Sequence, residues 1–347
     1  MANDFSLLSL GWQTFFQQQL TLDEWGVLKP ARIMEQHRSS LEVRGEQGVH
    51  TLPLLQSMPP LTVGDWVLLT GSGQFVRELE RKSVFKRKAA GSKLAEQLIA
   101  ANVDTAFIVT SLNEDFNLNR IERFLTVAHQ AGAEAVLVLS KLDLCGNAEE
   151  LREQAQRLDS HLCVEAVNCL SEPSVATLAP WCRPGQTIVI IGSSGAGKST
   201  LSNALLGAAV QDTGGIREDD AKGRHTTTRR SLMLLPSGGL ILDTPGMREM
   251  QLADCEEGVA ATFADIEELA AQCRFGDCSH DSEPGCAVRE AIEAEQLDER
   301  RLRSYRKLSR EQALNAASLA QRRAVFRKQS KNYKRIISES KQIKRGD

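Results

Sequence analysis

The chain has 347 residues, 41% of them hydrophobic and 25% charged, with a formal net charge of −3. That is the composition of a water-soluble globular protein with room for two or three domains, and it excludes disordered, collagen-like and disulfide-scaffold classes. There is no apolar run of about 18 residues, and the first residues lack a basic segment followed by a long apolar one, so the sequence is read as cytoplasmic with no membrane association.

From about Glu24 to Arg87 the chain carries short alternating runs, "GVLKPARIMEQ", "SLEVRGEQGVHTLPLL", "VGDWVLLT" and "QFVRELE", broken by Gly, Pro and polar turns. This pattern predicts a small antiparallel barrel, and the spacing suits a five-stranded OB-fold. The following "RKSVFKRKAAGSK" reads as a basic link over RNA backbone or an interdomain cleft. The preceding "WQTFFQQQL" is an extension for which the sequence suggests no role.

From about Asn102 to Met250, buried-strand runs ("DTAFIVTSL", "AEAVLVLSKLDL", "CVEAVNC", "QTIVIIG", "GGLILDTPG") alternate with helix-like stretches such as "RIERFLTVAHQAG" and "AEELREQAQRL". Such alternation predicts an α/β unit with a parallel sheet covered on both faces. The remainder, from about Asp265, is polar and helix-rich. The expected division is residues 1–92 for extension and barrel, 93–262 for the α/β domain and 263–347 for a helical C-terminal domain. Charge is distributed unevenly: from Arg300 onward there are 16 Lys and Arg against three acids. A polyanionic partner accounts for such a tail, Arg322, Arg323, Arg327 and Lys328 being candidate phosphate contacts.

The phosphate-loop pattern GxxxxGK[ST] runs through Gly192, Ser193, Ser194, Gly195, Ala196, Gly197, Lys198 and Ser199, with Thr200 following, after an apolar strand and before a helix-like segment. Backbone amides there would turn toward phosphates, Lys198 would reach the β and γ phosphates, and Ser199 would ligate Mg²⁺. Further on, Asp243-Thr-Pro-Gly246 ends another apolar strand. Asp243 would hold Mg²⁺ through water, and the Gly246 amide would contact the γ-phosphate. Earlier in the chain, Ser140, Lys141, Leu142 and Asp143 cap a strand. Asp143 can accept hydrogen bonds from guanine N1 and the N2 amino group, a donor pair adenine lacks, while the Lys141 stem packs on the base. Cys273, Cys278, His280 and Cys286, spaced C-x4-C-x-H-x5-C, form a closed tetrahedral set for one structural Zn²⁺. Cys145, Cys163, Cys169, Cys182 and Cys255 have no metal spacing and read as packing residues.

The base-reading strand precedes the phosphate loop, the reverse of the usual order in a GTP-binding domain, so the domain is circularly permuted. With these motifs the chain resembles the RsgA (YjeQ or YloQ) family of circularly permuted GTPases over nearly its whole length. The resemblance implies an N-terminal OB-fold, a permuted GTPase domain and a zinc-bearing C-terminal helical domain. It makes "GRHTTTRRSLMLL" the first switch, where Thr228 is favoured to coordinate Mg²⁺ and Thr226 and Thr227 remain open. Met247 and Arg248 stand where other GTPases carry a water-orienting glutamine, and His225 is the candidate for that task. The implied activity is hydrolysis of GTP to GDP and phosphate, slow alone and stimulated by the small (30S) ribosomal subunit. A monomer contacting rRNA would assist that subunit's late maturation. An RNA-binding module that uses nucleotide only for folding, and a P-loop ATPase, are the alternatives.

Two departures from the family pattern bear on binding. Ser140 replaces the usual asparagine, which predicts loss of the tie between base loop and phosphate loop and weaker nucleotide binding. Asn168 and Cys169 replace a Ser-Ala pair in the loop expected to meet guanine O6 through a backbone amide.

Overall fold

The computed structural model of the chain describes residues 6–88, 96–113, 115–207, 230–243 and 255–316. His225, the three switch threonines, Gly246 and the distal tail with Arg322, Arg323, Arg327 and Lys328 lie outside the described residues.

A short helix, α1 (Thr14–Gln17), precedes the barrel strands β1 (Lys29–Gln36), β2 (Ser40–Gly45), β3 (Gly48–Pro53), β4 (Trp66–Leu69) and β5 (Phe75–Glu78). All their pairings are antiparallel, in the order β3-β2-β1-β4-β5. Alternation in β2 buries Leu41 and Val43, which join Ile33, Leu52, Val67 and Leu69 in the barrel core. The extension packs on this barrel: Leu10 and Phe16 are buried, Trp12 stands edge-on to Trp66 at 4.8 Å between ring centroids, and Trp66 is itself fully buried.

Arg32 fixes that junction. Its side chain is 1% exposed, yet it donates to the carbonyls of Leu10 (2.6 Å), Asn102 (2.8 Å) and Gly64 (3.3 Å), tying together the extension, the barrel and the start of the α/β unit. Burial lowers its pKa to about 10, against the pull of Asp104 and Asp65. The guanidinium therefore remains charged at neutral pH and is satisfied by neutral oxygens.

The basic link is not a linker. β6 (Val84–Lys88) and β7 (Glu96–Ala101) pair as an antiparallel hairpin, so the expected 92/93 boundary falls between two paired strands. Phe85 and Ile99 are fully buried, which accounts for the pairing: the apolar positions face the core while Lys86 remains outside.

The α/β unit follows as β8 (Thr105–Ser111), α2 (Leu118–Ala131), β9 (Glu134–Ser140), α3 (Ala148–Gln156), β10 (Cys163–Val167), α4 (Glu172–Val175), β11 (Thr187–Gly192), α5 (Lys198–Leu206), β12 (Arg230–Leu234) and β13 (Leu240–Asp243). Strands β10-β9-β8-β11-β13 are mutually parallel, as their continuous apolar runs predict. β12 adds antiparallel to β13, then pairs with barrel strand β1 through Glu35↔Ser231 and Gln36↔Arg230. Barrel and α/β sheet thus share one ladder among the described residues.

The last helices are α6 (Glu256–Thr262), α7 (Ala264–Ala270), α8 (Ala287–Glu293) and α9 (Glu299–Ala316). α6 lies close against α2: a Cβ at Gly258 would stand 2.3 Å from the Thr126 carbonyl oxygen, so only glycine permits the approach. α9 docks by charge. Glu122 of α2, with no side-chain exposure, accepts hydrogen bonds from Arg300 (3.0 Å and 3.1 Å) and Arg301 (3.1 Å), and Arg301 reaches on to Asp265. No described helix is long and apolar enough to cross a membrane.

Candidate functional site

The site lies at the carboxyl ends of the parallel strands, where ligands meet open α/β sheets. Ser140 closes β9 opposite Ser111 of β8 and Val167 of β10, Gly192 closes β11 opposite Val109, and Asp243 closes β13 beside it. Motifs separated by up to a hundred residues in the sequence therefore emerge along one edge.

The phosphate loop begins where β11 presses against β8. Gly192 has φ 144°, and a Cβ there would fall 2.2 Å from the Val109 carbonyl oxygen, so the position admits only glycine. The loop runs through Ser193, Ser194, Gly195, Ala196 and Gly197 into α5, whose first residues are Lys198, Ser199 and Thr200. Lys198 donates to the Ser193 carbonyl, so the ammonium lies over its own loop. Amides at the start of a helix and an ammonium within the loop's span are the donors a polyphosphate requires.

The base motif meets this loop directly. Ser140 is fully buried, and its hydroxyl donates to the Ala196 carbonyl at 2.6 Å. The expected loss of the tie is therefore corrected: a hydroxyl spans the gap that asparagine would span, because β9 runs close enough for the shorter side chain. Lys141 follows in the left-handed region (φ 61°), turning the chain so that Leu142 and the exposed Asp143 begin a short 3₁₀ turn. Across the edge, Cys169 is buried, and its thiol is pushed up to about 11 by burial and, to a smaller degree, by the Asp143 carboxylate. Asp143 and the loop at 168–169 thus follow neighbouring parallel strands, β9 and β10, at the same end of the sheet.

In that second loop Asn168 donates its amide to the Ser174 hydroxyl at 2.9 Å, its side chain receives the Leu170 amide at 2.9 Å, and its carbonyl receives the Ser171 amide at 3.0 Å. Asn168 shapes the turn by accepting the amide two residues on with its side chain, a habit for which Asn is favoured in turns, and the Cys169 amide is not used for any of these bonds.

Asp243 ends β13, the strand paired with β11, and Ser199 is the second residue of the helix that follows β11. A hydroxyl and a carboxylate are hard oxygen donors of the kind Mg²⁺ takes.

The second cluster is in the C-terminal region. Ligand atoms of Cys273, Cys278, His280 and Cys286 lie within 4.8 Å of one another. Cys273 Sγ is 3.9 Å from Cys286 Sγ and 3.6 Å from His280 Nδ1, and Cys286 Sγ is 3.4 Å from His280 Nδ1. A tetrahedron with Zn–S of about 2.3 Å has edges of about 3.8 Å, so the set fits zinc. The loop between the ligands is organised by Glu283, whose carboxylate accepts the Asp281 and Ser282 amides (2.9 Å and 3.0 Å) and both the amide and hydroxyl of Ser279. These bonds, led by the Ser279 hydroxyl, hold its pKa down at about 2. Of the five remaining cysteines, Cys169, Cys182 and Cys255 are buried as expected, whereas Cys163 is exposed on the edge strand and is not a packing residue.

Comparison with known proteins agrees with this geometry. Residues 78–253 match the family model described as RsgA GTPase. A protein of Vibrio parahaemolyticus named small ribosomal subunit biogenesis GTPase RsgA 2 is 57% identical, the alignment covering 96% of this chain and 94% of that one. A Mesorhizobium japonicum protein named small ribosomal subunit biogenesis GTPase RsgA is 47% identical over 90% of this chain and 92% of its own. Among solved structures, YjeQ from Thermotoga maritima matches with a TM-score of 0.61 and 25% identity, covering 81% of this chain and 97% of that one. YloQ, described as a circularly permuted GTPase, matches in fold with a TM-score of 0.59 at 21% identity, covering 84% of this chain and 98% of its own.

Proposed function

The chain belongs to the RsgA GTPase family and is a GTP-hydrolysing enzyme, and from that premise we propose that it acts on the small ribosomal subunit during its late maturation, with hydrolysis stimulated by that subunit. The observation that carries the nucleotide assignment is the Ser140–Ala196 hydrogen bond, which joins a guanine-reading motif to a phosphate loop at one sheet edge.

In this reading Asp143 accepts from guanine N1 and the N2 amino group, the Lys141 stem covers the base, and the Cys169 amide donates to O6. The amides from Ser193 to Gly197 and the Lys198 ammonium hold the β and γ phosphates, with Thr200 behind them. Ser199 and Asp243, with Thr228 from the switch, would hold Mg²⁺, whose contribution is to neutralise charge between the phosphates. The Gly246 amide contacts the γ-phosphate, and His225 orients the attacking water. Cys273, Cys278, His280 and Cys286 would hold Zn²⁺, which shapes the loop and takes no part in hydrolysis. The barrel, the hairpin and the basic tail contact rRNA, the protein works as a monomer in the cytoplasm, and barrel, α/β unit and C-terminal helices divide these tasks. α6 follows the Asp243–Gly246 motif in the sequence and packs on α2, so in this reading nucleotide state sets the pose of the C-terminal helices. Removing the chain after about Asp265 then uncouples partner binding from nucleotide.

The test is GTP and ATP hydrolysis by the purified protein alone, with small subunits and with large subunits. Stimulation of GTP turnover by small subunits alone supports the reading, and flat turnover with either subunit overturns the ribosomal part.

A further inference from the structure

The seam between barrel and α/β sheet gathers two arginines that make no ion pair among the described residues. Arg230, the first residue of β12, donates to the Leu98 carbonyl of β7 at 2.6 Å and to the Gln36 side-chain oxygen of β1 at 3.3 Å. Arg87 of β6 donates through Nε to the side-chain oxygen of Gln97 at 2.9 Å. The two guanidiniums are thus anchored on consecutive residues of one strand, Gln97 and Leu98, by acceptors that are all neutral. Each retains donor hydrogens beyond these bonds, since a guanidinium has five. Their proximity is felt electrostatically: burial lowers the Arg230 pKa, and the Arg87 charge lowers it further.

Among the described residues no carboxylate is bonded to either guanidinium, and two neighbouring like charges so held are a poor structural choice and a good anion receptor. The acid next to Gln36 on β1, Glu35, pairs with His37 at 3.4 Å, and successive residues of a strand point to opposite faces. Three elements meet at this point: a barrel strand, the basic hairpin, and the strand that leaves the proposed first switch.

We propose that Arg87 and Arg230 together hold a phosphodiester of RNA at this seam, an inference that rests on the ribosomal reading above. A phosphate presents several acceptor oxygens to a guanidinium fork, and RNA presents phosphates in series, so the exposed Lys86 of the same hairpin can serve a neighbouring phosphate. A contact here bridges barrel and α/β sheet, so RNA engagement and the strand following residues 208–229 are physically joined.

The experiment measures binding of the full-length protein to small ribosomal subunits, and to their protein-free RNA, over a range of salt. The variants are Arg87→Gln, Arg230→Gln and Arg230→Lys, with Arg157→Gln, on exposed α3-proximal surface, as the charge-matched control. Each Gln variant is expected to flatten the slope of log affinity against log salt by about 0.7 to 0.9 for both targets. Arg230→Lys, which keeps the charge, and Arg157→Gln are expected to keep the wild-type slope. Gln variants with the wild-type slope overturn the proposal, as does a loss confined to intact subunits, which would assign the contact to an acidic protein surface. A wild-type protein that binds no small subunit removes the ribosomal reading itself, and this proposal with it.

Discussion

The Ser140 hydroxyl and the Ala196 carbonyl, 56 residues apart, are joined by a buried 2.6 Å hydrogen bond that locks the phosphate loop to the base motif. Replacing Ser140 by Ala leaves the Ala196 carbonyl without this partner at the point where the loop must hold its shape. Loss of such a bond costs about 1 kcal/mol or somewhat more, so GDP and GTP affinity should fall roughly five- to tenfold. Titration with a fluorescent guanine nucleotide checks this, and an unchanged dissociation constant would show the tie to be dispensable.

Asp143 is exposed in the middle of the 3₁₀ turn, free to face a base. Exchanging it for Asn substitutes an N–H for one carboxylate oxygen, so one of guanine's two donors loses its acceptor. A xanthine base, with a carbonyl at C2 in place of the amino group, matches the new pattern. Competition assays on Asp143→Asn should show GTP weakened by tenfold or more and XTP improved; a variant that keeps its preference for GTP would mean that Asp143 does not read the base.

What is legible in the sequence is what a single stretch carries on its own. The apolar runs of β8, β9, β10 and β11 marked buried parallel strands, and the phosphate loop, base motif and Cys₃His spacing stood out because each is local. The hairpin of β6 and β7 was missed because "KRKAAGSK" reads as a polar linker, and only the burial of Phe85 and Ile99 against distant residues makes it a pair of strands. Ser140 misled for the same reason. Whether a short side chain reaches its partner depends on the spacing of two strands and a loop, which no local pattern records. The seam through Gln36 and Arg230 is carried by polar residues that advertise no strand pairing at all.

Glu122 is the fully buried carboxylate that receives Arg300 and Arg301 from α9. Truncating one partner of a buried ion pair strands the other, and such changes cost about 3–5 kcal/mol. Glu122→Ala should accordingly lower the midpoint of urea unfolding and expose the α9 segment to protease before the rest of the chain. Glu122→Gln, which keeps a hydrogen-bonding oxygen, should fall between the variant and wild type. Equal protease resistance in all three would argue against this docking role.

Zinc content discriminates among the cysteines. The purified protein should carry about one zinc per chain, and Cys273→Ser or Cys286→Ser should lose most of it. Cys163→Ser should keep it, since that thiol lies on the far edge strand. Elemental analysis of the variants reads this directly, and zinc retained by Cys286→Ser would displace the assignment.

Glu24 forms a two-pronged ion pair with Arg77, at 2.7 and 2.9 Å, and accepts the Thr21 amide at 2.9 Å. Arg77 foremost, then the Thr21 amide, depress its pKa from 4.5 to about 2. A depressed folded-state value means that the pair stabilises the protein fully above pH 4.5 and loses that contribution as pH falls from there toward 2. The stability difference between wild type and Glu24→Gln should therefore be constant from neutral pH down to about 5 and shrink below it. Denaturant titrations at several pH values test the trend; a difference that grows on acidification would reverse the sign of the argument.

The ladder between β1 and β12 has a consequence for how the chain is made. Strand β1 is complete once residue 36 has been synthesised, and β4 covers only its first half, Lys29 to Arg32. The edge at Glu35 and Gln36 stays open until Arg230 and Ser231 emerge, almost two hundred residues later. A nascent barrel with an open edge can pair with the wrong strand, and here the vulnerable portion is short and polar, the features that discourage such pairing. The permuted order makes this delay unavoidable: β9, which ends at Ser140, and β11, which leads into the Gly192–Ser199 loop, both leave the translating ribosome before the strand that fastens them to the barrel. Closure of the seam is therefore among the last long-range events of folding, and a polypeptide halted before β12 would display a finished barrel with nothing yet locking its edge to the catalytic half.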